Sequence, residues 1–123
     1  MLLIDAEIRK SDIHGIGLFS KGVIPKGTKV WEFNPTFDIA LDESKVKGLP
    51  ESAHAFLKIY GYRSVQTNEF IINLDLSRHM NHSDEPNLVS DQDSNYFAAC
   101  DIPAGVELTC DYREFSLSGI SDF

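Results

Sequence analysis

Apolar and polar residues alternate along this chain in short runs, and turn-forming residues interrupt almost every run before it lengthens. Residues 2–8 alternate loosely. The runs 17–20, 29–33, 69–74, 95–100 and 107–111 read as strands bounded by Gly, Pro, Asn, Asp or Ser. One stretch has a different period. Pro50 and Glu51 open it, Ala55, Phe56, Ile59 and Tyr60 give an apolar stripe, and Gly61 is placed to end it. Proline suits a first helical turn, where its missing N–H has no partner to lose, and glycine suits the residue that closes a helix. A second helical stub is predicted over 75–80. The pattern thus predicts a mainly β (α+β) chain with one or two short helices.

A faint internal echo runs through these elements. Phe19, Ile24-Pro25, Gly27 and Val30 recur at the same spacing as Phe97, Ile102-Pro103, Gly105 and Leu108. Ile-Pro-x-Gly fits a type I turn with Pro second and Gly fourth. Two similar strand–turn–strand units are expected, without a repeat architecture.

Length and composition narrow the class. A chain of 123 residues fits one domain, 1–123, and can bury roughly two-thirds of its unfolded surface, so its core needs no staple. Cys100 and Cys110 are too few and too far apart for a structural zinc. They read as two reduced, part-buried thiols, which suits an intracellular compartment, cytoplasmic or nuclear. The start, Met1-Leu2-Leu3-Ile4 before Asp5, is too short an apolar run for a signal peptide, and no stretch approaches a membrane span. Charge adds a direction. The net charge is −8; residues 1–78 hold ten acids and ten bases, whereas 79–123 hold nine acids and Arg113 as the one base. Such a field repels nucleic acid, whose binders need a basic face, and draws in a basic partner.

Three segments carry candidate chemistry. In His14-Gly15-Ile16-Gly17-Leu18-Phe19, two glycines flank one residue and let backbone approach a ligand without an intervening Cβ; a third glycine and a following helix, which a dinucleotide turn needs, are absent. The stretch from Arg78 to Asn87 (Arg-His-Met-Asn-His-Ser-Asp-Glu-Pro-Asn) is densely polar: Asn81 and His82 can hydrogen-bond a polar ligand, and Arg78 can hold a carboxylate. It reads equally as a capped loop. His79 and His82 lack the further ligands a metal needs, so no metal is expected. The last segment, Ile102 to Tyr112, is a strand ending in Asp111-Tyr112.

Taken in this order, the segments resemble the SET-domain family of protein lysine methyltransferases. That family opens with a Gly-x-Gly turn followed by an aliphatic and an aromatic residue, matched from Gly15 to Phe19. It carries Arg-Phe-x-Asn-His-Ser-Cys-x-Pro-Asn, matched by Arg78, Asn81, His82, Ser83, Pro86 and Asn87. It closes with Gly-Glu-Glu-Leu-Thr-Tyr-Asp-Tyr, matched by Gly105, Glu107, Leu108, Thr109, Asp111 and Tyr112. The likeness covers a core of about 6–115, leaving 116–123 as a short tail.

The resemblance implies a fold of small curled β-sheets with a C-terminal pseudoknot, in which the Asn-His segment passes through a loop formed near the C-terminus. It implies S-adenosylmethionine as cofactor, held by Gly15, Ile16, Gly17, Asn81 and His82 with Arg78 shaping the pocket. It makes Tyr112 the catalytic tyrosine at the end of a lysine channel and implies methyl transfer to a lysine of a basic, histone-like protein. Tyr60 and Tyr62 are candidates to line that channel, and so is Cys110, at a position that in the family influences how many methyl groups are added. The alternatives are a non-catalytic binding module of the same fold and a methyltransferase acting on a small amine. His79, Met80 and Asp84 depart from the family motif, and the loss of Cys at Asp84 fits the missing Cys-rich segment after Tyr112. Phe115, Leu117, Ile120 and Phe123 are then candidate lids, and a homodimer is a second way to close the site.

Overall fold

In the computed structural model, which describes residues 1–91, 93 and 95–114, the short runs form four small sheets. β1 (Ala6–Lys10) and β2 (Ile16–Ser20) make an antiparallel hairpin with Ala6 opposite Ser20. β3 (Lys29–Glu32), β4 (Asp38–Leu41), α1 (Glu43–Lys47), α2 (Glu51–Tyr60), β5 (Gly61–Arg63) and β6 (Phe70–Asn73) follow. A 3-10 turn, Leu76–His79, leads into β7 (Asn81–His82); then come β8 (Leu88–Ser90), β9 (Asn95–Ala98), β10 (Thr109–Cys110) and a second 3-10 turn, Tyr112–Glu114. Two sheets are antiparallel triplets, in the orders β3–β9–β8 and β4–β6–β5. The fourth is the parallel pair of β7 with β10, which sets Thr109 beside Asn81 and Cys110 beside His82.

Two apolar clusters hold these sheets. The larger buries Leu18, Val30, Leu88 and Leu108 completely, with Trp31, Tyr96 and Ile102 around them. Each such leucine or valine contributes roughly 1.5–3 kcal/mol by leaving water. The smaller joins Val46 of α1, Leu57 of α2 and Phe70 of β6. α1 carries no sequence stripe because its five residues bury Val46 alone; it is defined by its cap, where the Asp42 carboxylate accepts from the Lys45 N–H at 2.9 Å.

Several expectations need adjustment. α2 forms between Pro50 and Gly61, but Leu57 is its buried residue, while Phe56 and Ile59 of the expected stripe are 40% and 69% exposed. The first strand begins at Ala6, and Leu2 makes only a single bridge to Trp31. The strands β4, β5, β7 and β8 are too short, at two to four residues, to show a period. The cysteines are free but neither is half-buried: Cys100 is exposed and Cys110 is buried in the larger cluster. Among the described residues no helix is long and apolar enough to cross a membrane.

The echoed units meet face to face. Ile24 and Ile102 exchange both backbone hydrogen bonds at 2.8 Å; the Gly27 N–H donates to the Ala98 carbonyl at 2.8 Å and, reciprocally, its counterpart Gly105 donates to Ser20, the counterpart of Ala98, at 2.7 Å. The turn is not the expected type I. Thr28 donates back to Pro25 at 3.1 Å, which puts Gly27 third, and its φ of +84° is what the third position of a type II turn requires.

Candidate functional site

β1 and β2 are joined by residues 11–15, and the glycine turn takes its shape from that loop. Ser11 Oγ accepts from the N–H groups of Ile13 and His14, at 2.9 and 3.2 Å, and donates to Glu107 Oε1 at 2.7 Å. Gly15 has a φ of +50°, with open space where a Cβ would stand. Gly17 differs: its Cβ would lie 2.5 Å from Glu107 Oε2, so the missing side chain admits a carboxylate from the closing motif. The buried Asn81 amide ties this together. Its Nδ2 lies 3.0 Å from the His14 carbonyl, 3.4 Å from that of Ile16, 3.1 Å from Ser11 Oγ and 2.9 Å from Glu107 Oε2. Two N–H groups shared among four acceptors lock the turn to β7. Ser11 and Glu107 are the residues sequence reasoning missed here. Glu107 stood in a matched motif, and nothing in the sequence marked Ser11.

The C-terminal strand closes over the same region. The Asn87 side chain brackets it, donating to the Glu107 carbonyl at 2.8 Å and accepting from the Thr109 N–H at 2.9 Å. Ser83 donates to the Cys110 carbonyl at 3.0 Å, and beyond the strand Glu114 accepts from the Ser90 N–H at 2.8 Å. Residues 107–114 therefore run beside 81–90 for their whole length. This pairing holds Tyr112 next to β7: its ring centroid is 5.3 Å from that of His82, its N–H donates to His82 Nδ1 at 3.1 Å, and its hydroxyl donates to the Met80 carbonyl.

Beside Tyr112 opens a cavity of about 1040 Å³, whose walls include Tyr60, Tyr62, Met80, Cys110 and Tyr112. Burial and nearby acids push the Cys110 thiol up, and burial with the Asp38 carboxylate and Cys110 pushes the Tyr62 phenol up. Partial burial, with Cys110 and Glu107 nearby, pushes Tyr112 to about 12. At neutral pH Tyr62, Cys110 and Tyr112 therefore keep their protons and serve as hydrogen-bond donors, on a wall that Asp38, Glu69 and Asp93 also line.

The structure thus sorts the sequence-derived residues into two groups. Gly15, Ile16, Gly17, Asn81 and His82 cluster at the loop-to-β7 junction. Tyr60, Tyr62, Cys110 and Tyr112 line the cavity, and so does Arg78. The Arg78 guanidinium is 5.7 Å from the rings of both Phe56 and Tyr60 and donates to the Asn73 and Leu74 carbonyls at 3.2 and 3.4 Å. Phe115, Leu117, Ile120 and Phe123 lie outside the described residues.

With this geometry, the family model for the SET domain matches residues 15–113, and the chain belongs to that family. It is 35% identical over 120 residues to the mouse histone-lysine N-methyltransferase NSD3, a match covering 89% of this chain and 8% of that protein. Among solved structures it resembles a humanized mutant of the Chaetomium thermophilum Polycomb Repressive Complex 2 bound to the inhibitor GSK126 (TM-score 0.64, 21% identity, 94% of this chain and 16% of that one). It also resembles ctPRC2 in an autoinhibited conformation bound to S-adenosylmethionine (TM-score 0.64, 22% identity, again 94% and 16%). The chain therefore spans a small part of each of these relatives. Their likeness agrees with the mainly β fold of small sheets.

Proposed function

We propose that this chain transfers a methyl group from S-adenosylmethionine to the side-chain amine of a lysine in a protein, and that a basic, histone-like protein is its substrate. The observation that carries the reading is the β7–β10 pair. One face of it meets the glycine turn through Asn81, and Tyr112, just past its end, borders the cavity. A cofactor and an incoming side chain can thus reach one point from two sides, and such alignment supplies several kcal/mol of a displacement barrier.

The residues suit the cofactor. The space over Gly15 is open, and Ile13 and Ile16 beside it are 52% and 51% exposed, so backbone and apolar surface are free for a ligand. Asn81 Nδ2 is already committed to the loop, so Asn81 shapes the turn and offers the ligand its remaining polar atoms. Bound there, S-adenosylmethionine supplies an electrophilic methyl on a sulfonium. The chain's own part is to hold and orient. Tyr112 keeps its proton and orients the amine through its hydroxyl. Tyr60, Tyr62 and Cys110 line the approach, and Arg78 braces α2 against it. Lysine, with a reference pKa of about 10.4, loses its proton more readily where burial and a nearby positive charge disfavour the ammonium, so no general base is assigned.

The test is transfer of labelled methyl to a pool of basic proteins. Label is expected on lysine with the wild type, reduced about 10²-fold in Tyr112→Phe. Calorimetry showing no S-adenosylmethionine binding would remove the reading at its base. Binding without turnover on any protein, peptide or free amine would leave the binding module in its place.

A further inference from the structure

Four side chains, His82 of the cofactor cluster with Asp84, Asp111 and Arg113, close a ring around the backbone of Tyr112. The Tyr112 N–H donates to His82 Nδ1 at 3.1 Å. An accepting Nδ1 leaves the proton of a neutral imidazole on Nε2, and Nε2 faces Asp84 Oδ1 at 3.0 Å. The same Asp84 oxygen accepts from Arg113 Nη2 at 3.3 Å. Arg113 then turns back as a fork on Asp111, Nε to Oδ1 and Nη2 to Oδ2, both at 2.8 Å. Asp111 Oδ1 is also 3.8 Å from His82 Nδ1. Arg113 covers that oxygen, so Nδ1 is left for the Tyr112 N–H.

Such a ring does little for overall stability. The Asp84 and Arg113 side chains are 81% and 72% exposed, and exposed pairs are weak and screened. Its effect is local. Tyr112 sits in a three-residue turn, 41% exposed, so the core does not fix its orientation. Its hydroxyl is anchored on Met80, the residue before β7. The ring ties its backbone to the same strand through His82.

We propose that Asp84 and Arg113 are positioning residues for Tyr112, acting through His82 and Asp111 to set where its hydroxyl points. The inference rests on the proposed methyl transfer, in which Tyr112 orients the amine. A small misplacement of an orienting group lowers turnover without changing how tightly cofactor or substrate binds.

The experiment compares wild type with Asp84→Asn, Arg113→Gln, their double variant, and Arg113→Gln in a Tyr112→Phe background, reading kcat, KM for a lysine peptide, calorimetric Kd for S-adenosylmethionine, and amide exchange at Tyr112. Each single substitution is expected to lower kcat roughly tenfold, with KM and Kd unchanged and faster exchange at the Tyr112 amide. The double variant should be no worse than either single, because one break opens the ring. Arg113→Gln should add nothing once Tyr112 is Phe, and Arg113→Lys should restore part of the rate. An active wild type whose variants keep kcat, or whose losses add independently of Tyr112, overturns the positioning role alone. A wild type that transfers no methyl group overturns the underlying reaction, and the positioning role with it.

Discussion

Gly17 was expected to let backbone approach a ligand, and the carboxylate of Glu107 occupies the space its missing Cβ leaves. Glu107 cannot easily step aside, because Ser11 and Asn81 both donate to it. Gly17→Ala should therefore break that network, costing about 1–3 kcal/mol for stranded polar groups, and should weaken cofactor binding as the loop loosens. Gly15→Ala meets no atom, only a φ of +50°, and should cost about 1–2 kcal/mol with the network intact. Urea unfolding with calorimetric titration separates them: equal effects of the two on cofactor affinity would deny Glu107 its part. Titration offers a further check at this scale. The Arg113 fork holds the Asp111 carboxyl down to about 2, below the ordinary value near 3.9. A depressed carboxyl contributes stability above its unfolded pKa and loses it as pH falls through the folded one. The fork should thus persist at pH 4 and open as pH falls toward 2, and NMR titration of Asp111 should move up toward the ordinary value in Arg113→Gln.

At the scale of elements, periodicity showed which segments fold and left open what each would touch. The stripe of Phe56, Ile59 and Tyr60 was legible as an amphipathic helix, yet its residues face Arg78 and the cavity while Leu57 packs on Val46 and Phe70. A ten-residue helix touching the core at one side chain can spend its apolar stripe on a site, and a sequence pattern does not say which. Two-residue strands such as β7 carry no period, so the β7–β10 pair was legible only through resemblance. The echo was readable to the residue, whereas its pairing is a long-range contact that spacing along the chain does not encode. Gly27 and Gly105 hold φ of +84° and +82° with open space around both Cβ positions. Gly27→Ala and Gly105→Ala should accordingly destabilise by the same amount, about 1–2 kcal/mol each. Denaturant midpoints that differ widely would mean that the two turns share a sequence but not a mechanical role.

Over the whole molecule, the charge asymmetry was plain in the sequence, but the surface carrying it was not. In the fold, Asp84 and Asp111 belong to the side-chain ring around Tyr112, and Asp93 lies on the cavity wall. Excess negative charge there accelerates arrival of a lysine-rich chain and acts over about 10 Å at 0.1 M salt. Salt then has two separable effects. Screening of the field should raise KM for a basic peptide severalfold between low salt and 0.5 M, and leave KM for a neutral peptide with one lysine nearly constant. Screening of the exposed Asp84–Arg113 pair should lower kcat for both peptides alike, because the proposed role of that pair is to position Tyr112. Replacing Asp91 and Asp93 with Asn should flatten the KM response and leave the kcat response in place. If KM for the basic peptide did not move with salt, the acidic third would be a solvated surface with no part in choosing the substrate, and specificity would have to come from contacts inside the cavity.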